Sequence, residues 1–423
     1  MRDTLTCTSP EHPQNRAQNS AGLTQESVRS EIKIALLTGG FDRPYAYGLA
    51  MALIARGVCL EVIGSDEIDS PEMHSTPNLS FLNLQGSKRE ASLATKMSRV
   101  LIFYFRLIRY AVTAKPQIFH ILWNNTFQLF DRTMLMLFYK LFGKKVLFTA
   151  HNVNSGRRDL NDSLLNRLSL RIQYRLADHI FVHTEQMKAE LCEEFSIQKE
   201  AVTVIPFGIN NAVPQTELTP AEAKRRLGIQ RAEGTVLFFG AIRPYKGLEH
   251  LVTAFQRIAA KDRGYRLIVA GEEKKGSEQY LRDVQEVIGR DSSRERVIQK
   301  IEFIPDDQTE LYFKAADVLV LPYTLVYQSG VLFLAYSFGL PVIATDVGSF
   351  RDDIIQGETG YLARSCTAED LARAIETYFN SELYRSLDRR RARIRDYANA
   401  RNSWGLVGEK TCKVYSELLG SLE

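Results

Sequence analysis

Short runs of β-branched and aromatic residues alternate along the chain with longer amphipathic stretches, the pattern of a parallel sheet covered by helices. In the first half the runs fall at 33–37, 60–63, 118–122, 145–150, 179–183 and 202–205. In the second half they fall at 235–239, 266–270, 297–303, 318–321, 341–344 and 359–362. Most are apolar almost throughout, which suits strands buried on both faces. Each half therefore predicts its own doubly wound domain, giving an α/β fold class with two Rossmann-like domains facing each other across a cleft. The stretch 207–234 separates them. It carries Asn, Pro and Gly punctuation and one short helix that starts at Thr219 and Pro220 and stops at Gly228.

Length and composition agree with this reading. A chain of 423 residues exceeds one ordinary core and fits two domains. Its 45% hydrophobic and 25% charged residues are those of a globular protein. The net charge of +4 is small for the length and gives no reason to expect nucleic acid as a partner. Five cysteines (Cys7, Cys59, Cys192, Cys366 and Cys412) are scattered without a C-x-x-C pair, which points away from disulfide frameworks and zinc sites and toward a reducing, cytoplasmic compartment. Residues 1–30 are polar, lack an apolar signal segment, and are expected to be a disordered leader. The uncharged run 318–345 is long enough to span a membrane. Pro322, Gln328, Ser329, Gly330 and Pro341 punctuate it, so it is expected to be strand, loop, helix and strand of a core.

Candidate chemistry sits where these strands end. Directly after run 235–239 come Gly240-Ala241-Ile242-Arg243-Pro244-Tyr245-Lys246-Gly247, placing Arg243 and Lys246 beyond the carboxyl end of a buried strand. Anionic ligands bind there, and two fixed cations could hold a diphosphate as it leaves. A solvated basic loop is the alternative. Run 145–150 delivers His151, which could serve a substrate hydroxyl as a neutral imidazole. The first run leads into Thr38-Gly39-Gly40-Phe41-Asp42, where Gly39 and Gly40 allow close approach of a ligand or simply a tight turn. This is not G-x-G-x-x-G, so a dinucleotide is poorly supported. Gln328, Ser329, Gly330 and Val331 open an apolar helix: Ser329 is expected as its N-cap, the following amides as phosphate donors, and Gln328 as a partner for sugar hydroxyls. No hydrophobic-flanked Asp-x-Asp is present, so no metal site is expected.

Taken in order, the Lys246-Gly247 loop, the strand ending Val269-Ala270-Gly271-Glu272, Ala315-Ala316-Asp317-Val318-Leu319-Val320-Leu321-Pro322, and Gly339-Leu340-Pro341-Val342-Ile343-Ala344-Thr345-Asp346-Val347-Gly348 resemble glycosyltransferase family 4. The likeness runs over roughly residues 32–415 and is strongest in the second half. The resemblance implies the GT-B fold, with an acceptor-binding domain at 31–215, a donor-binding domain at 216–395, and a C-terminal helix within 396–423 packing back toward the first domain. It also implies retaining sugar transfer from a nucleotide diphosphate-sugar to a saccharide or lipid-linked saccharide, with no further cofactor and no metal. In this family pattern Arg243 and Lys246 hold the diphosphate, His151 lies beside the donor sugar, and Gly39, Gly40 and Gly271 join the substrate-binding set. One departure is plain. The two glutamates usual in the family fall here on Val326 and Leu334, which cannot make the same hydroxyl contacts. A non-catalytic glycosyltransferase-like nucleotide-sugar-binding or scaffold protein is therefore the alternative, and a nucleotide-sugar epimerase a second.

The segment 88–115 adds a local charge signal. Lys88, Arg89, Lys96, Arg99, Arg106, Arg109 and Lys115 stand against the single acid Glu90, with an aromatic-rich apolar run between them. Such a helix suits an anionic membrane surface, on the inner face of the plasma membrane, or an ordinary core-facing helix with solvated cations.

Overall fold

In a computed structural model, residues 32–87, 92–159, 161–211 and 213–420 are described. Contacts divide the chain into Met1–Glu31, outside the described residues, and Ile32–Glu423, which holds both sheets. The expected leader thus lies outside the described residues, as do Lys88, Arg89 and Glu90.

The first sheet comprises β1 (Lys33–Leu37), β2 (Cys59–Gly64), β3 (Leu79–Asn83), β4 (Ile118–Ile121), β5 (Lys145–Thr149), β6 (His179–Val182) and β7 (Val202–Val204). The second comprises β8 (Gly234–Phe239), β9 (Tyr265–Ala270), β10 (Val297–Lys300), β11 (Val318–Leu321), β12 (Val342–Thr345) and β13 (Gly360–Ala363). Their orders are β3-β2-β1-β4-β5-β6-β7 and β10-β9-β8-β11-β12-β13, and every pairing is parallel. Strands such as β8 and β11 are buried along their whole length because helices cover both faces. Edge strand β3 was not visible in the hydrophobic pattern. Its residues Leu-Ser-Phe-Leu-Asn are only partly covered, so no continuous apolar run marks it.

In each sheet the strand order reverses once, between β1 and β4 and between β8 and β11. Loops leaving the two central strands there diverge and open a crevice at the carboxyl ends, the place where ligands bind in such sheets. Helix α1 (Arg43–Ile54) follows β1, capped by Asp42, whose Oδ1 accepts from the Tyr45 N–H at 3.1 Å. Helix α2 (Leu93–Thr113) crosses the first domain, α3 (Gly330–Ser337) follows β11, and α4 (Leu387–Asn402) packs on α3.

Helix α4 runs through residue 396. The chain crosses to the first domain at Ser403, and α5 (Trp404–Leu419) packs on α1. This crossing is tied to the other interdomain connection by several hydrogen bonds. Asn402 Nδ2 donates to Phe207 O at 2.9 Å, the Ile209 N–H to Asn402 O at 2.9 Å, and Trp404 Nε1 to Ile209 O at 3.0 Å.

Candidate active site

At the second sheet's switch point, the chain leaves β8 through Gly240 and makes a short turn at Pro244–Lys246. Lys246 folds back over the strand end. It is buried, with Nζ 5.2 Å from the centre of the Tyr323 ring that follows β11. Burial pulls its pKa down to about 8; Tyr245 opposes that pull, while Arg158, Arg243 and Lys274 add to it. Lys246 forms no ion pair among the described residues, and Arg243 stands half-buried beside it.

Arg158 comes from the first domain and lays its guanidinium 4.8 Å from the centre of the Tyr245 ring in the second. Asp159 neutralises it in part at 2.9 Å, and Lys274 is paired with Glu272. The field around Lys246 is therefore positive and bridges the two domains, which suits an anion. Arg158 was not singled out from sequence, because it ends a short helix, Ser155–Arg158, with six residues between it and His151.

A cleft of about 280 Å³ lies on this cluster, lined among others by Asp42, Tyr45, Arg158, Lys246, Gln328 and Ser329. The opening residues of α3, Gly330 and Val331, line it too. Ser329 occupies the cap position, yet its hydroxyl accepts no helix N–H, so the expected side-chain cap is corrected to a backbone one, Leu332 N–H to Ser329 O at 3.2 Å. Gln328 reaches Asp353 Oδ2 at 3.4 Å through Nε2, and its Oε1 is buried without a partner. Val326 and Leu334, where the glutamates were missing, both line the cleft. Its wall is apolar at those two positions.

Gly271 does not line this cleft. Its N–H donates to Lys300 O at 2.9 Å, and a side chain there would meet Gly240 O at 2.0 Å. It is needed for close packing of two strand ends, not for an open donor. At the first switch point Gly39, with φ 61°, allows the loop after β1 to press on the loop after β4, where a side chain would lie 2.7 Å from Trp123 O. Thr38 ties the loop down, and Gly40 N–H donates to Thr38 Oγ1 at 3.2 Å. Asp42 lines this cleft and Phe41 a second cavity, whereas neither glycine is part of the lining of these two.

His151 leaves β5 between two rings: Trp123 stacks on it at 4.2 Å and Tyr45 meets it edge-on at 4.7 Å. Its Nδ1 lies 3.0 Å from His183 Nε2, and its Nε2 is buried with no partner. Desolvation, then His183 and His120, hold its pKa well below the ordinary value, so the ring is neutral. His183 joins the site for that reason. His120 instead bonds Tyr415 at 2.6 Å and Thr149 at 2.7 Å, a satisfied core residue. Among the described residues no group of three or more His, Cys, Asp or Glu is placed to hold a metal ion.

Two parallel sheets, a cleft between their switch points and two chain crossings decide the architecture. The fold is GT-B. Solved GT-B structures superpose over nearly the whole described chain. Sucrose-phosphate synthase from Thermosynechococcus elongatus matches with a TM-score of 0.73 at 21% identity, covering 92% of this chain and 99% of that one. Anabaena Alr3699/HepE, solved with UDP and glucose, matches with a TM-score of 0.72 at 15% identity, covering 92% and 100%. The two halves of this GT-B chain match separate family models, Glycosyltransferase Family 4 over residues 44–213 and Glycosyl transferases group 1 over residues 233–381. Among curated relatives, D-inositol 3-phosphate glycosyltransferase of Corynebacterium aurimucosum is 25% identical over 247 residues, 56% of this chain and 58% of that protein. The enzyme of the same name from Pseudarthrobacter chlorophenolicus is 29% identical over 252 residues, 57% of each. The chain thus spans under two thirds of these relatives' length.

Proposed function

We propose that the chain is a glycosyltransferase that moves a sugar from a nucleotide diphosphate-sugar to a saccharide or lipid-linked saccharide, with retention and without a metal. The observation that carries this reading is the buried, unpaired Lys246 at the second switch point, with Arg243 beside it and Arg158 reaching over from the first domain. The diphosphate sits on these cations and on the first amides of α3, which stabilise the charge that grows on the leaving phosphate. The two family matches support the same assignment for both domains.

The donor sugar lies between Gln328 and His151. Gln328 Oε1 and His151 Nε2 are buried acceptors that sugar hydroxyls satisfy. The acceptor hydroxyl attacks the anomeric carbon from the face that the diphosphate leaves, and a leaving phosphate oxygen takes its proton. Val326 and Leu334 give the donor an apolar wall where related enzymes use carboxylates.

The acceptor reaches the cleft from a membrane surface. Helix α2 turns Phe103, Tyr104, Leu107 and Ala111 into the core. Met97, Leu101 and Phe105, four residues apart, form a second apolar stripe that is exposed, Phe105 at 68%. Lys96, Arg99, Arg106 and Arg109 flank it and are exposed. Two stripes on one helix exceed what the core uses, and the outer one with its cations suits anionic headgroups. No helix among the described residues is long and apolar enough to cross a membrane.

Incubating the protein with UDP-, GDP- and ADP-sugars and following release of the nucleoside diphosphate tests the function. Binding of a nucleotide-sugar without release to any saccharide or lipid-linked acceptor would favour a non-catalytic role.

A further inference from the structure

A second cavity, of about 320 Å³, opens in the first domain on the far side of His151 and Trp123 from the cleft. Its floor carries Arg132, which belongs to a π-helical turn, Asp131–Leu135. Such turns recur at functional sites because the extra residue per turn redirects side chains. Here two consecutive charged side chains, Asp131 and Arg132, are both buried, 3% and 6% exposed.

Among the described residues Arg132 forms no ion pair; Asp131 attracts it only from beyond ion-pair distance. Its Nη1 donates to Asn166 Oδ1 at 2.8 Å and Ser169 Oγ at 3.2 Å, its Nη2 to Gln128 Oε1 at 2.8 Å, and its Nε–H has no partner. All these acceptors are neutral. Asp131 is held instead by Tyr104 Oη at 2.9 Å and Asn125 Nδ2 at 3.2 Å, with Oδ2 unpartnered. Burial raises the Asp131 pKa to about 6, so its carboxylate loses charge only as pH falls below neutral. A guanidinium more than nine-tenths buried among neutral oxygens is costly unless an anion joins it.

The rest of the lining suits hydroxyls. Asn124, Asn125, Gln128 and Gln173 supply amides that both donate and accept, and His151 stands at the rim. Tyr45, which lines the donor cleft, packs against both His151 and Trp123, so the two cavities share a wall. We infer that this second cavity is the acceptor subsite and that the acceptor carries an anionic group, phosphate or carboxylate, which pairs with Arg132. This rests on the glycosyltransferase reading for the word acceptor; the anion preference rests on the cavity alone. With the anion on Arg132 and the ring hydroxyls on the amides, the nucleophilic hydroxyl projects past His151 toward the donor.

The test is calorimetric titration of the full chain, saturated with whichever of UDP, GDP and ADP it binds, with glucose 6-phosphate, glucuronate and glucose. The expected result is that at least one anionic sugar binds about tenfold or more tighter than glucose, the tighter one telling phosphate from carboxylate. Arg132→Gln should abolish that preference with affinity for that nucleotide unchanged, and Arg132→Lys should retain part of it. Should Arg132→Gln fail to fold, hydrogen exchange on the wild type decides: the tighter probe should protect residues 124–132 and 166–173. Equal binding of glucose, a preference that survives Arg132→Gln, or protection elsewhere would overturn the subsite. Failure of UDP, GDP and ADP alike to bind would instead count against the donor reading, and the two results are read in separate steps.

Discussion

His183 Nε2 lies 3.0 Å from His151 Nδ1, and the other ring nitrogen of His183 meets the Ile205 carbonyl at 3.3 Å. A carbonyl only accepts, so His183 Nδ1 carries the proton and Nε2 is an acceptor. His151 must then donate through Nδ1, which leaves its Nε2 as a lone pair. Burial holds the His183 pKa near 4, so the relay persists across the physiological range. A main-chain carbonyl thereby sets which nitrogen of His151 faces the substrate.

His183→Ala should therefore release the His151 tautomer. Turnover should fall about tenfold or more while UDP affinity stays within twofold. Nitrogen NMR should show His151 changing from an Nδ1–H form to a mixture. A variant with an unchanged His151 signature and unchanged turnover would remove His183 from the site.

The cation cluster predicts large effects on chemistry. Arg243→Ala and Lys246→Met should each lower turnover at least a hundredfold, on the order of 3 kcal/mol of lost stabilisation of the leaving diphosphate. Methionine keeps the packing on Tyr323 and removes only the charge. Steady-state kinetics with circular dichroism as a folding control measure this.

Lys246 also predicts a pH profile. Its pKa near 8 leaves it charged below that pH and neutral above it. UDP affinity should hold at pH 6.5–7.5, then weaken as pH rises through about 8, with the slope absent in Lys246→Met. The free protein should gain stability over the same rise. The unfolded chain keeps the lysine proton up to about pH 10.4 whereas the folded one has lost it. Titrating UDP at a series of pH values checks the first statement, and urea unfolding the second.

Val326 and Leu334 are buried, 7% and 8% exposed, within the apolar cluster behind α3. Val326→Glu or Leu334→Glu should therefore weaken donor binding or lower the melting temperature, not restore activity. Gln328→Ala should relax discrimination between donor sugars, since its buried Oε1 has no other partner. Ser329→Ala should cost under about 0.5 kcal/mol of stability, because its hydroxyl caps nothing. Thermal melts and donor-competition assays measure all four.

For the surface of α2, sedimentation with phosphatidylglycerol vesicles should pull down the wild type at low salt. Changing Arg99, Arg106 and Arg109 to Glu should release it, each cation contributing about 1 kcal/mol. Phe105→Ser should weaken binding without changing its salt dependence. A wild type that ignores these vesicles would leave a soluble acceptor as the better account.

Both sheets were readable because β1, β4, β5, β8 and β11 are covered on both faces and show as nearly continuous apolar runs. Edge strand β3, half covered, carries no such signal. Within the site, His151 stands just beyond β5, and Lys246 lies in the loop that leaves β8 and carries a basic motif, so strand end and motif locate them. Arg158 and Tyr45 reach the site through cross-domain packing or ring contacts, which local sequence does not encode; His183 also follows its strand directly but reads as structural until its pairing with His151 across neighbouring strands is seen. The Ser329 cap failed for a related reason: hydroxyl direction depends on the loop from β11, not on residue type. Gly271 was placed in the substrate set by its motif, whereas Gly240, pressed against it, accounts for it.

The account turns on a nucleoside diphosphate held by Arg243, Lys246 and the start of α3 in place of a metal. Calorimetric titration of the full chain with UDP, GDP and ADP in excess EDTA tests this most directly. One nucleotide should bind with a dissociation constant on the order of micromolar, and the Arg243→Ala/Lys246→Met double variant should lose at least a hundredfold. Binding that requires added magnesium or manganese, or that is unchanged in the double variant, would contradict it.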